Sequence, residues 1–329
     1  MQLNAGGYSV VGEILARAQS LGVAVQTAPC GAALVDCGVQ ARGNAEAGVL
    51  MARAALADLA TVRIERPGPS PAAEPLWPGC DRPVVAVASG WPLAACLAAQ
   101  YAGWKVKTPG YFAMASGPIR AAIGREELFD HIGMREQPDR AVGLLEAAAL
   151  PPDDVCRSLA SAAGVPPERL TLLVARTSSI AGTVQVVARS LETALHKLHD
   201  LRFDLRRIRR GFGRAPLPPT AGTDDLRAIG LTNDAILYGG HVVLEVAGAD
   251  ADLVALGPRM VSGASADYGV PFATLFERAG GDFYALDPAL FAPAVVELVN
   301  VDTGRHHRFG RLAPEIVQGS FTAAASPGV

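Results

Sequence analysis

Arg189 and Glu192 stand three residues apart in VVARSLETALHK (186–197), a stretch whose apolar residues recur at helical spacing. Such a pair can be two things. On a surface it is an ion pair contributing a few tenths of a kcal/mol, in the weaker order because the base precedes the acid. At a pocket wall it is a carboxylate able to take a proton from water, oriented by a guanidinium. A continuous helix from about residue 180 to 201 advances about 100° per residue. Val184, Val187, Leu191, Leu195 and Leu198 then form one stripe that faces the core. Gln185, Arg189, Glu192, His196 and His199 form a second, roughly 120° away. Ser190, Thr193 and Lys197 take the remaining side, where Lys197 is expected in solvent. No third ligand accompanies His196 and His199, which argues against a metal site. Helical geometry alone favours the surface pair.

Other stretches carry weaker signals. In ASGPIR (115–120) a Ser-Gly-Pro turn can offer backbone N–H groups and the Ser116 hydroxyl to an anion at a helix start. A capped helix with Pro118 at its first position explains the same residues. GFGRAP (211–216) lacks the Lys-Ser/Thr of a phosphate loop, so nucleotide binding is not expected. The arginine-rich RFDLRRIRRGFGR (202–214) reads as a solvated basic strand or loop, or as an anchor for the acidic tail of a small ligand. TNDAILYGG (232–240) joins a polar trio to a short strand and a double glycine. The trio is turn chemistry or a set of donors and acceptors that orients a heterocycle. No G-x-S-x-G motif or Ser-His-Asp arrangement is present.

Helices and short strands alternate around these residues. SVVGEILARAQSLG (9–22) is a helix stopped by Gly22, and NAEAGVLMARAALADLA (44–60) is a helix opened by Asn44. PLAACLAAQYAG (92–103) is a third. VAVQTA, GAALVDCG, TVRIE, PVVAVASG and LTLLVARTS read as strands. AILYGGHVVLEVAG (235–248) is expected to be a hairpin turning at Gly239-Gly240, and ELVNVDTGRHHRFGRL (297–312) another, turning at residues 302–304. Pro-rich stretches at 66–83 and 214–225 are loops, and 149–155 is a weaker break. The resulting class is mixed α/β, with helices packed on sheets. Two α/β domains are expected, 1–150 and 151–329, the second carrying the Arg189/Glu192 helix; the chain can cross between them.

Bulk properties narrow the function. The 329 residues are 50% hydrophobic and 19% charged, so the chain buries a sizeable core. A net charge of −3 provides no field that would draw nucleic acid or an anionic membrane. No apolar run approaches the ~18 residues of a membrane span, and the N-terminus lacks a signal-peptide pattern. Five scattered cysteines without a C-x-x-C pair suggest a reducing cytoplasm, and neither structural zinc nor a disulfide framework.

Longer segments carry a family signature. AGW (102–104) with YFAMASGPIR, SIAGTVQVVARSLETALHKLHDL, PLPPTAGTDDLRAIGLTNDAILYGG and DFYALDPALFAPAVVELVNVDTGRHHRFGRL occur in order over most of the chain, with LVDCGV (34–39) ahead of them. Together they resemble the methenyltetrahydromethanopterin cyclohydrolases, one-carbon enzymes of methanogens and methylotrophic bacteria. The resemblance implies reversible hydrolysis of the methenyl bridge on a reduced pterin carrier, giving the formyl derivative. It further implies two α/β domains with the pocket between them, a homo-oligomer (a trimer), a pterin substrate as the small-molecule partner, and neither metal nor other cofactor. The family's catalytic Arg and Glu match Arg189 and Glu192. Ser116, Gly117, Pro118 and Arg120, together with Thr232, Asn233, Asp234, Tyr238 and Gly239, would bind the substrate. Leu231 and Ala115 depart from the usual pattern, where a basic residue and a glycine are expected. The alternative is a non-catalytic paralogue that binds the pterin carrier without hydrolysing it.

Overall fold

A computed structural model describes residues 1–67, 77–78 and 81–323. Much of the Pro-rich stretch at 66–83, and Cys80 within it, lies outside the described residues. The chain divides into two compact units, one of residues 1–61 and 91–186, the other of 62–90 and 187–329. The break expected at 150/151 therefore falls inside the first unit. The reason is strand pairing: the strand at 170–175 is inserted between strands from the first half of the chain.

The first unit holds a six-stranded sheet. Its strands are β1 (Ala24–Thr27), β2 (Ala33–Gly38), β5 (Trp104–Thr108), β6 (Tyr111–Ser116), β7 (Ala141–Glu146) and β8 (Leu170–Ala175), in the order β1-β2-β8-β7-β6-β5. The central β2, β8 and β7 are parallel; β1 pairs antiparallel with β2 on one flank, and on the other β6 pairs antiparallel with both β7 and β5, so β5 runs with the central strands. Every residue of LTLLVA in β8 is buried, as a strand covered on both faces requires. Val10, Ile14, Leu50 and Met51, from the helices Leu3–Ala16 and Ala45–Ala55, pack on Val35, Val142, Leu144 and Leu173. Val155, Cys156 and Leu159, from the helix Asp153–Ala162, pack with Leu34, Leu145, Leu172 and Val174 from the other face. Successive strand residues point to opposite faces, so Leu172 and Leu173 serve different helices.

Local signals set the ends of these elements. Gly22 takes a left-handed conformation at φ +66° behind the first helices. Asn44 accepts a hydrogen bond from the Ala47 amide at 2.9 Å, capping its helix as its position predicts. Asn44→Ala, which removes this cap and the bond that the Asn44 amide donates to the Ser20 carbonyl, is expected to cost about 1 kcal/mol in urea unfolding; an unchanged midpoint would mean that neither bond sets the helix start. The expected third helix forms at Leu93–Gln100 but is wound as a π-helix, fully buried from Ala94 onward. Described cysteines Cys30, Cys37, Cys96 and Cys156 are buried thiols.

The second unit holds the other sheet: β3 (Thr61–Glu65), β4 (Val84–Ser89), β9 (Ile208–Pro216), β10 (His241–Val246), β11 (Val295–Asn300) and β12 (His306–Gly310), in the order β12-β11-β10-β9-β4-β3. The hairpin expected at 297–312 is β11 and β12, with Gly304 at φ +72° in its turn. The hairpin expected at 235–248 does not form. Ala235, Ile236 and Leu237 end the helix Asp225–Leu237, Tyr238 follows as its C-cap, and only HVVLEV is a strand, β10, which runs parallel to β11. Asp224 caps that helix by accepting the Arg227 amide at 2.9 Å. Thr232 and Asn233 donate back to the carbonyls of Ala228 and Ile229, both at 2.8 Å, which uses their polarity inside the helix.

β9 contains most of the arginine-rich stretch. Arg209, Arg210 and Arg214 are exposed, and carboxylates answer two of them: Glu65 lies 3.1 Å from Arg214 and Glu245 3.9 Å from Arg210. Arg207 bridges the Ala247 carbonyl and Asp252, and Arg206 pairs with Asp204. The basic stretch is thus largely matched by acids within its own sheet and loops.

Candidate active site

The helix that carries Arg189 and Glu192 is two helices. Ile180–Val187 ends, Ala188 and Arg189 turn, and Ser190–Asp200 begins. Arg189 is the residue before the new helix, at φ −90° and ψ 2°, and Glu192 is its third residue. A carboxylate in a first turn faces the positive end of the helix dipole. The continuous helix expected from 180 to 201 is corrected at this point. The two β-branched residues Val186 and Val187 weaken the first helix at its end, and close packing fixes the start of the second. A Cβ on Gly213 would stand 2.6 Å from Ser190 Oγ and 2.7 Å from the Leu191 amide nitrogen. A Cβ on Gly211 would meet Leu191 Cδ1 at 2.6 Å. The glycines of GFGRAP therefore let this helix start sit directly on β9. Sequence reasoning missed them; their signal was two glycines at alternate positions of a strand, which removes side chains from one face.

The core stripe is as expected: Val184, Val187, Leu191, Leu195 and Leu198 are all fully buried. The side expected in solvent is not. Lys197 is only 4% exposed, and its ammonium donates to the Pro288 carbonyl. Burial pushes its pKa down, partly offset by Asp200 and Asp287. The cause is tertiary: the chain around Asp287 and Pro288 covers a face that the helical pattern alone assigns to water. His196 and His199 are half-buried and stacked at 6.4 Å, with Asp200 beside both. No metal-binding cluster of His, Cys, Asp and Glu occurs among the described residues.

Six charged residues are buried among those described: Asp36, Arg120, Arg189, Glu192, Lys197 and Asp234. Burying a charge is costly, so each needs a reason. Asp36 accepts the amides of Gly38, Val39, Gln40 and Ala41. Lys197 holds Pro288. Arg120 donates to Glu126 and, at 2.7 Å, to the Leu97 carbonyl. Asp234 accepts the Phe272 amide at 2.8 Å and the Ser320 hydroxyl at 2.6 Å. The remaining two, Arg189 and Glu192, are each 6% exposed and occupy one helix start, a single turn apart. An exposed surface pair is ruled out by that burial.

The expected substrate-binding residues form two groups. In the first unit, Ser116 ends β6, Gly117 turns at φ +94° and Pro118 precedes the short helix Ile119–Ile123. Gly117 donates its amide to Ala99 and Arg120 donates its own to Gly117, so these amides serve the turn itself. The Arg120 guanidinium is sandwiched near the rings of Tyr101 and Phe129, at 4.9 and 5.3 Å. In the second unit, Thr232, Asn233, Asp234, Tyr238 and Gly239 lie on or just behind the helix Asp225–Leu237. Tyr238 donates its hydroxyl to the Val270 carbonyl, and the Gly239 carbonyl accepts from the Trp77 indole at 2.7 Å. A Cβ on Gly239 would meet Pro216 at 2.8 Å, which explains glycine there. Ala115 and Leu231, the two departures, are both buried in their units' interiors.

Asp234 has a measurable signature. Burial raises its pKa to about 6 from 3.8, opposed by the bonds from Ser320 and Phe272. Between those values the folded protein keeps a proton that the unfolded chain has lost, so stability falls as pH rises through the window. The shift corresponds to about 3 kcal/mol. Asp234→Asn retains an acceptor for Phe272 and cannot ionise. The stability difference between parent and variant is expected to move by about 2 kcal/mol in the variant's favour from pH 4 to 7, since pH 4 already lies above the unfolded value. A constant difference in urea unfolding across that range would show that Asp234 stays ionised in the fold.

The family described as Cyclohydrolase (MCH) matches residues 2–321 of this chain. The chain belongs to that family. Proteins named methenyltetrahydromethanopterin cyclohydrolase are its relatives. The one from Methylobacterium organophilum is 44% identical over 323 residues, covering 97% of each chain. That from Methylobacillus flagellatus is 41% identical over 316 residues, covering 96% of this chain and 94% of its own. The archaeal protein from Methanococcoides burtonii is 35% identical over 323 residues, 98% of each. Family membership thus extends over both units. No described helix is long and apolar enough to cross a membrane.

Proposed function

We propose that this chain hydrolyses the methenyl bridge of methenyl-tetrahydromethanopterin, reversibly, to the formyl derivative, with Glu192 as the base and Arg189 as its partner. The observation that carries this reading is the burial of both charges at one helix break, in a chain matched end to end by cyclohydrolases. The methenyl carbon is already electrophilic, because its positive charge is shared with two flanking nitrogens. It needs an activated water and a proton route to the nitrogen that leaves.

Glu192 takes a proton from water as the oxygen bonds to the methenyl carbon. The carboxyl then passes that proton to one flanking nitrogen, and the bond between that nitrogen and the carbon breaks. Loss of the hydroxyl proton leaves a formyl group on the other nitrogen, so one water is consumed and one proton released. Arg189 orients the carboxylate toward the attacking water. Substrate and water supply every atom, and no further cofactor is assigned. Arg120, Asp234 and Tyr238 act as positioning residues, since protein partners engage their polar atoms. The same resemblance makes the working form a homo-oligomer, a trimer, which analytical ultracentrifugation tests.

Turnover decides the reading. Purified protein is expected to bleach the methenyl absorbance of the substrate; binding without bleaching would make it a carrier-binding paralogue. Neither buried departure from the family pattern favours that alternative.

A further inference from the structure

In the first unit the outer strand β5 borders a cavity of about 340 Å³, in the lower part of the range of small-molecule pockets. All five residues of β5 line it. Alternate side chains of a strand point to opposite faces, so a cavity that meets all five lies along the strand's backbone edge. Among the described residues no strand pairs with that edge. The facing wall is one stripe of the helix Asp153–Ala162: Val155, Ser158, Leu159 and Ala162 recur at i, i+3, i+4 and i+7. Ile123 closes the wall, and Arg120, with its side chain fully buried, lines the cavity toward the core.

The charge of this lining is one-sided. Glu126 is its sole acid, and that carboxylate is engaged by Arg120. The other charged side chains are Lys105, Lys107 and Arg125, all positive and all exposed. An apolar interior beneath a cationic rim selects for a ligand with both characters. A peptide added along β5 would use the strand's backbone edge, whereas the lining also offers an apolar wall from Val155, Leu159 and Ala162 and cationic side chains at its rim, which suit a small ligand of mixed character.

We propose that the cavity binds a small amphipathic anion. Its apolar, ring-sized body sits between Trp104, Val106 and Leu159, and its carboxylate or phosphate meets Lys107 and Arg125 at the rim. Charge-assisted hydrogen bonds supply the grip on the anion, and burial of the ring excludes a bare inorganic ion from equal affinity.

The test uses titration calorimetry on the full chain with phenyl phosphate, benzyl alcohol and inorganic phosphate as probes. Phenyl phosphate is expected to bind one per chain, and about tenfold or more tighter than either fragment. Lys107→Glu with Arg125→Glu is expected to weaken it by about tenfold or more. Ser158→Trp, at an exposed position on the cavity wall, is expected to abolish binding without changing charge. All three positions are exposed, so unchanged thermal unfolding certifies the fold of each variant. Absence of binding by the parent, or undiminished binding by both variants, overturns the proposal. The anion has two possible sources, a separate metabolite or an acidic part of the hydrolysed substrate, and the same variants separate them. A raised KM at constant kcat assigns the site to the substrate; an unchanged KM assigns it to a separate molecule. Binding is read without turnover, so its outcome is independent of the proposed reaction.

Discussion

Glu192→Gln is expected to lower kcat for the methenyl substrate by about two to four orders of magnitude, with substrate binding nearly unchanged. The amide keeps the size and most of the hydrogen-bonding capacity of the carboxylate but cannot accept the proton of the attacking water. A base acts in the transition state, so its loss lowers kcat and kcat/KM together while KM stays near the parent value. Folding is a separate matter. Neutralising Glu192 removes a first-turn dipole interaction and also a negative charge beside the buried Arg189, so thermal unfolding of the variant is read alongside turnover to certify its fold. Arg189→Lys is the companion experiment, because it keeps the charge and removes the planar fork that orients a carboxylate. Near-normal turnover by Glu192→Gln would reduce the pair to a buried structural contact.

Arg120→Ala is expected to cost about 3 kcal/mol of stability. Three losses add up at this position. The Leu97 carbonyl loses its 2.7 Å donor, the rings of Tyr101 and Phe129 lose the guanidinium they flank, and a cavity opens. Glu126 is about one-third exposed, so water takes up part of its stranded charge, which holds the cost near the lower end of values for broken buried pairs. The thermal midpoint should fall by roughly 6–12 °C for a unit of this size. Arg120→Met refills the space without charge and is expected to recover part of that loss. A midpoint within about 2 °C of the parent, coupled with a raised KM, would return Arg120 to the substrate-contact role that the family resemblance implied.

Both predictions show where the sequence was legible. The core stripe Val184, Val187, Leu191, Leu195 and Leu198 was legible, because periodicity alone groups these residues; the continuity of the helix and the exposure of Lys197 were not. The caps at Gly22 and Asn44 and the final hairpin were legible for the same local reason. The hairpin expected at 235–248 was not. Thr232, Asn233 and Asp234 resemble turn residues, and only their bonds to Ala228, Ile229, Phe272 and Ser320 show polar side chains accommodated in a helix.

By itself the sequence determined the elements built from local periodicity and capping, the family of the chain, and the spacing of Arg189 and Glu192. Tertiary structure alone decided what lies against each face. It broke the helix at Arg189 where Gly211 and Gly213 bring β9 close, and inserted β8 between strands distant in sequence. It buried Lys197 beneath Pro288 and made Asp234 a clamp. Periodicity specifies which residues travel together around a helix; whether that face meets water or protein depends on segments tens to hundreds of residues away, about which a local pattern carries no information.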